Sequence, residues 1–335
     1  MLDRRSLYLR RRIPPAAHYD VRLQDGTVRF GHSRWARPAL ACALLLSAPW
    51  PPPYAASDKP RIEEIQVRSA FVPSPVAVRV WLPPRFEASP PGTVPLLVFL
   101  HDGFGSQRSF FRKGLSEILE SMIARGELPG IAVACPRTVG TYNSNDYLGK
   151  RRTFDFLTLA LVPELLARYP RLRRDPQGRG LTGISLGGYG ALKIGLRHPE
   201  LFGSVSTLSP WVEDLSFEFQ MKQGPFGRWA MGRIFGKTPE TSTIAGESLF
   251  RILAGTARPS SRPAFLVISG DADPWVLNGN LERFENALKD AAVPLEARRL
   301  PGEHDWPFWR RAFPEIARFH ARAFRPQPSP RNAEP

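Results

Sequence analysis

Residues 181–192 read Leu-Thr-Gly-Ile-Ser-Leu-Gly-Gly-Tyr-Gly-Ala-Leu, and they constrain the fold more than any other stretch. Gly183, Ser185 and Gly187 make Gly-x-Ser-x-Gly, with an apolar run before it and a helix-forming run, 188–197, after it. This is the setting of a strand-to-helix turn so tight that a Cβ at Gly183 or Gly187 would strike neighbouring backbone. Such a turn holds its serine in a strained conformation and presents the hydroxyl at a sheet edge, with the positive end of a helix behind it. Gly and Ser are common, so the motif alone fits a glycine-rich turn without chemistry equally well, and the rest of the chain must decide.

Around this stretch, short apolar runs alternate with helical periodicity. Residues 62–69 and 76–82 are rich in β-branched side chains and separated by Pro73 and Pro75, which predicts an opening antiparallel pair. The continuous apolar run 94–100 predicts a strand buried on both faces. Further strands are predicted at 131–135, 180–184, 205–208, 264–269 and 295–300, and helices at 108–124, 153–169, 281–291 and 307–324. The alternation implies an α/β fold with a mostly parallel central sheet flanked by helices. At 335 residues and 42% hydrophobic content, the chain can bury one large domain, assigned here to 57–324. An insertion at about 211–257 breaks the rhythm and carries Phe217, Phe219, Phe226 and Trp229, which suit an acyl or aryl pocket or plain packing onto the core equally, with insertion at a membrane surface as a weaker third reading.

In parallel sheets of this kind the site lies beyond the carboxyl ends of the strands. Residues 101–104, Ser185, Asp273 and His304 all follow predicted strands. A serine hydroxyl needs a base, and the base needs a supporting carboxylate, in the chain order Ser, acid, His for this architecture. After Ser185 the histidines are His198, His304 and His320. His198 sits where the helix should end, and His320 lies inside the closing helix. His304, in a loop just after a strand, is the preferred base. Asp273 has the Gly-x-x-Asp spacing from Gly270 and is preferred as the acid. Asp271 reads as a turn former, and Asp305 ranks last because adjacent side chains in a loop diverge. The oxyanion donors are expected to be the backbone N–H groups of Leu186 and Phe104. His101, Asp102, Tyr142, Trp211 and Trp306 are further candidates for the substrate pocket. No metal-ligand spacing, phosphate-binding loop or dinucleotide fingerprint is present in the sequence, so no cofactor is expected.

Residues 39–48 form a short apolar run behind Arg34 and Arg37, followed by small residues. That pattern predicts a secretory signal within a 1–56 leader, and hence export to the periplasm or medium. The tail 325–335 is proline-rich and polar and is expected to be disordered. Of the two cysteines, Cys42 lies in the leader and Cys135 in an apolar strand, where a buried, inert thiol is expected. The net charge of +15 is spread without a dense basic run, which argues against nucleic acid. A basic face suits an anionic membrane or polysaccharide surface, although arginine-biased composition with no specific partner is the preferred account. The expected partner is a small-molecule or glycan ester.

Four stretches, 97–105, 183–192 with 197–202, 270–273 and 302–309, together resemble α/β-hydrolase serine esterases of the Putative esterase family. That family includes feruloyl and acetyl-xylan esterases, enterochelin-type esterases, S-formylglutathione hydrolases and secreted mycolyltransferases. The resemblance spans roughly 62–324. It implies Ser185, Asp273 and His304 as a triad, with the amides of Phe104 and Leu186 as the oxyanion hole. It also implies hydrolysis of a carboxylic ester through an acyl-serine, with acyl transfer to a sugar or lipid hydroxyl as the alternative; the rival from another class, a catalytically silent binding protein, needs none of Ser185, Asp273 and His304. His101-Asp102-Gly103 stands where many members have His-Gly, and is similar to the Asp-Gly turn of the mycolyltransferases.

Overall fold

The computed structural model describes residues 58–256 and 263–325. The expected leader and signal segment, and all of the tail after Arg325, lie outside them. Eight strands form one sheet in the order β1-β2-β4-β3-β5-β6-β7-β8. They are β1 (Arg61–Val67), β2 (Val76–Leu82), β3 (Leu96–Leu100), β4 (Ala132–Pro136), β5 (Arg179–Ile184), β6 (Ser204–Leu208), β7 (Ala264–Gly270) and β8 (Leu295–Leu300). The strands β1 and β2 pair antiparallel, β2 pairs antiparallel with β4, and every other pairing is parallel. The helices are α1 (Ser109–Arg112), α2 (Leu115–Ala124), α3 (Thr153–Asp155), α4 (Leu161–Arg168), α5 (Leu186–Arg197), α6 (Phe217–Lys222), α7 (Pro225–Phe235), α8 (Leu249–Gly255), α9 (Asn280–Asp290) and α10 (Trp306–Ala323).

The period-two geometry of a strand sends alternate side chains to opposite faces. On β3, Leu96, Val98 and Leu100 join a core shared with α4, α5 and α9, while Leu97 and Phe99 join one shared with α2 and α10. Both sides are covered, which is why the central strands read as unbroken apolar runs. Two helices depart from the sequence expectation. The predicted helix 108–124 is split at Gly114, whose φ of +79° suits glycine and starts a new helix at Leu115. The predicted helix 153–169 contains a wide π turn at Phe156–Ala160, just ahead of Pro163, whose missing N–H leaves no donor for an ordinary α bond back to Leu159.

The parallel strands end nearly level. Leu100 pairs with Gly183, Ile184 with Leu208, Leu208 with Ile268, and Gly270 with Leu300. Neighbouring strands lie about 4.8 Å apart, so the loops leaving these ends are brought side by side. The insertion between β6 and β7 emerges at this same end as α6, α7 and α8.

Candidate active site

Ser185 occupies the junction of β5 and α5 with φ 53° and ψ −115°, a strained combination for a residue with a side chain. Its amide donates to the Leu208 carbonyl at 2.9 Å, and its own carbonyl accepts from Tyr189 at 3.0 Å and Trp211 at 3.1 Å. The two motif glycines are required by space. A Cβ on Gly183 would collide with the Gly187 carbonyl, and one on Gly187 with the carbonyl oxygens of Leu100 and His101. Leu186 is the first residue of α5, so its N–H has no acceptor one turn back within that helix. Asn143 braces the next peptide, its Nδ2 donating to the Leu186 carbonyl at 3.2 Å.

His304 Nε2 lies 3.0 Å from Ser185 Oγ, and His304 Nδ1 lies 2.8 Å from Asp273 Oδ2. Three side chains from three separate loops therefore form one continuous line. Asp273 is fully buried, and its other oxygen accepts from the Trp275 amide at 2.9 Å. Burial alone would raise its pKa. The hydrogen bond and charge of His304, the nearby Ser209 hydroxyl and the Trp275 amide outweigh that effect and hold it below the ordinary carboxylate value. An ionised Asp273 only accepts, so Nδ1 carries the imidazole proton and Nε2 is left with its lone pair toward the serine.

The other carboxylates near this line have separate duties. Asp271 Oδ1 accepts from the Gly302 amide at 3.0 Å, and the Ala272 amide donates to the Gly302 carbonyl at 2.9 Å, so the acid loop and the histidine loop are tied together. Asp305 caps α10, accepting from the Phe308 amide at 2.9 Å.

The sequence profile of the Putative esterase family matches residues 69–320. The chain belongs to this family. Esterase Rv1288 of Mycobacterium tuberculosis (strain ATCC 25618 / H37Rv) is 26% identical over 269 residues, covering 74% of this chain and 56% of that protein. The chain thus spans little more than half the length of the relative. Among solved structures, a ferulic acid esterase superposes with a TM-score of 0.65 at 24% identity, covering 80% of this chain and 100% of its own. The S-formylglutathione hydrolase FrmB of Staphylococcus aureus gives 0.62 at 18% identity, covering 78% and 99%. These likenesses establish the α/β-hydrolase fold.

In this family member several pocket candidates change role. His101 is not a pocket wall. It is buried, its Nδ1 bonds the Asp102 carbonyl at 2.8 Å, and its Nε2 accepts from the Thr138 amide at 3.1 Å. Burial lowers its pKa and keeps it neutral, so it pins the turn after β3 to the loop after β4. In that turn the Gly105 amide donates to the Asp102 carbonyl at 3.0 Å, while the Phe104 side chain stands fully in solvent. Asp102 is buried beneath the turn, away from open solvent. Trp306 does not reach the histidine. Its ring packs against Trp309 at 5.2 Å and lies under the Lys113 ammonium at 5.3 Å. Helical side chains lean toward the N-terminus, so Trp309, one turn further along α10, leans back and meets the His304 ring edge-to-face at 5.1 Å. Trp275 approaches the same ring at 6.3 Å. The sequence reading missed both. Trp275 could have been found from its place two residues after the acid.

Tyr142 and Trp211 pack on each other with ring centroids 6.0 Å apart; the Trp211 amide donates to the Ser185 carbonyl, and Tyr142 also packs on Phe235 at 5.4 Å. Phe219 joins them at 6.2 Å from Trp211. Phe226 and Trp229 do not: both are on the solvent side of α7. Cys135 is buried in β4, as the apolar run implied, and burial pushes its thiol well above the ordinary value.

Proposed function

We propose that the chain hydrolyses carboxylic esters through an acyl-serine intermediate. The observation that carries this reading is the unbroken line from Ser185 Oγ through the imidazole of His304 to the buried carboxylate of Asp273. As Ser185 Oγ attacks the ester carbonyl carbon, its proton passes to His304 Nε2. Asp273 stabilises the resulting imidazolium without taking its proton. The carbonyl oxygen becomes an oxyanion, which the amides of Leu186 and Phe104 would receive. Fixed donors of this kind need no reorganisation as the charge forms. The tetrahedral species collapses with loss of the alcohol, which leaves with the proton from Nε2. Water then enters, gives its proton to Nε2, and releases the acid by the same steps in reverse order.

Tyr142, Trp211 and Trp275 supply flat apolar surface close to this line, which suits small esters with an aromatic or short acyl group, free or attached to a glycan. The fold shared with ferulic acid esterases supports the same substrate class. Turnover of p-nitrophenyl acetate, p-nitrophenyl butyrate and methyl ferulate tests the reading. Ser185→Ala should lower kcat by about a million-fold where chemistry limits the rate. Unchanged turnover in that variant would remove Ser185 from the reaction. Product analysis with an added sugar alcohol separates hydrolysis from transfer of the acyl group to a hydroxyl.

A further inference from the structure

The insertion after β6 has two unlike sides. On α7, Met231, Ile234 and Phe235 are buried, and Phe235 packs against Tyr142 near the nucleophile. On the opposite side Phe226, Trp229 and Arg233 recur at the spacing of one helix face. Phe226 is 73% exposed and Trp229 54%, with ring centroids 5.7 Å apart, and Met221 of α6 is 43% exposed beside them in the sequence. Two large aromatic rings held this far into water by a folded helix are a standing unfavourable exposure, and nothing in the core calls for them there.

Charge says what the face fits. From 217 to 237 the ionisable residues are Glu218, Lys222, Arg228, Arg233 and Lys237, four basic against one acidic. Glu218 is already paired with Lys222 at 2.7 Å. Arg233 lies over the Trp229 ring at 5.1 Å, and Arg228 is exposed with no carboxylate partner among the described residues. Aromatic rings flanked by long basic side chains match the boundary of an anionic bilayer. The rings settle at the headgroup level while the guanidinium groups reach the phosphates. Residues 57–335 alone carry a net charge of +9, which adds long-range attraction of the same sign without the leader. The exposed rings of Phe104 and Trp275 also follow strand ends at the carboxyl edge of the sheet, the end from which the insertion emerges.

We propose that α6 and α7 form an interfacial docking element that seats this protein on anionic lipid. The inference concerns binding and stands apart from the ester chemistry, since it is read without turnover. The test is cosedimentation of the full chain with vesicles of equal phosphatidylglycerol and phosphatidylcholine, and with phosphatidylcholine alone. The parent protein should partition onto the anionic vesicles, and added salt should release it. Phe226→Ala with Trp229→Ala should weaken partitioning roughly tenfold for each ring removed, and Arg228→Glu with Arg233→Glu should weaken it by at least roughly tenfold. Circular dichroism and thermal melting of each variant show that it is folded, whatever its turnover. Equal partitioning by parent and double aromatic variant would overturn the proposal, as would equal binding to the neutral vesicles. A parent that is dimeric without vesicles, and monomeric once both rings are removed, would assign the face to a second copy of the chain and overturn it too.

Discussion

Asp271 and Asp273 are two positions apart and differ entirely in what they hold. Asp273 is buried on the imidazole, whereas Asp271 fastens the backbone of Gly302. Asp273→Asn removes the acceptor-only partner that fixes the tautomer, so kcat on p-nitrophenyl butyrate should fall by about ten-thousand-fold with the fold intact. Asp271→Asn keeps an acceptor for the Gly302 amide, and its kcat should stay within a few-fold of the parent, roughly the loss of part of one neutral hydrogen bond. If both variants fall equally, the loop tie rather than the carboxylate on His304 governs the rate. At Gly187 the issue is space. Gly187→Ala places a methyl group against two backbone carbonyls that belong to the end of β3 and cannot swing aside. Urea unfolding should show a loss of roughly 1–3 kcal/mol, with activity reduced further because the elbow itself must shift.

The nucleophile helix α5 is fastened to the insertion by buried charge. Lys193, wholly buried, donates to Glu247 Oε2 and to Ser144 Oγ, each at 2.5 Å, and Tyr189 donates to the Glu247 carbonyl at 2.9 Å. One carboxylate thus joins α5, the loop that carries Tyr142, and the turn before α8. Burial opposes charging Lys193, and Glu247 only partly offsets it, leaving its pKa lowered to about 8. Burial also opposes charging Glu247, but Lys193 and Arg197 outweigh it and hold its pKa down to about 2. Glu247→Gln leaves the ammonium buried with no counter-charge and should cost roughly 3–5 kcal/mol of stability by urea unfolding. Adding Lys193→Met should restore much of the loss, because no charge then remains uncompensated. A double variant no more stable than the single would show that the pair is not coupled.

Over the whole molecule, acid sensitivity follows from groups kept uncharged or kept charged by the fold. His320 on α10 is fully buried between Ser204 Oγ at 2.8 Å and Ser206 Oγ at 2.7 Å, and burial lowers its pKa to about 3. The unfolded chain binds that proton near pH 6.5, and the native chain resists it until about pH 3. Its contribution to stability is therefore complete above about pH 6.5 and is lost progressively down to pH 3, by at most about 1.4 kcal/mol per pH unit for one proton. Glu247 adds a loss of the same sign below its unfolded value of 4.5. Stability measured by urea unfolding from pH 7 to pH 4 should fall, and His320→Gln, which keeps hydrogen-bonding capacity without a titrating ring, should flatten the slope. An unchanged slope would place the acid sensitivity elsewhere.

The sequence by itself determined what depends on neighbours along the chain. The elbow is such a case at Gly183 and Ser185, whose constraints lie within one turn, although the crowding that requires glycine at 187 comes from the strand end at Leu100 and His101. The strands are another, since burial on both faces leaves an unbroken apolar run that can be read directly, and the observed ends differ from the expected ones by only a residue or two. The cap at Asp305 is also local, three residues from its donor, although the sequence offered that residue only as a third candidate acid; Asp271, expected to form a turn, instead holds a backbone amide 31 residues away. Only the tertiary structure decided which side chains meet across elements. It turned Trp309 rather than Trp306 onto His304, put His101 under the loops with both ring nitrogens occupied, and set Phe226 and Trp229 toward solvent on a helix whose other side is core. The physical reason is that a residue's type fixes what it can bond or bury. Which partner is within 3 or 4 Å is set by strand order, helix rotation and side-chain lean, and these arise from the packing of segments far apart in the chain.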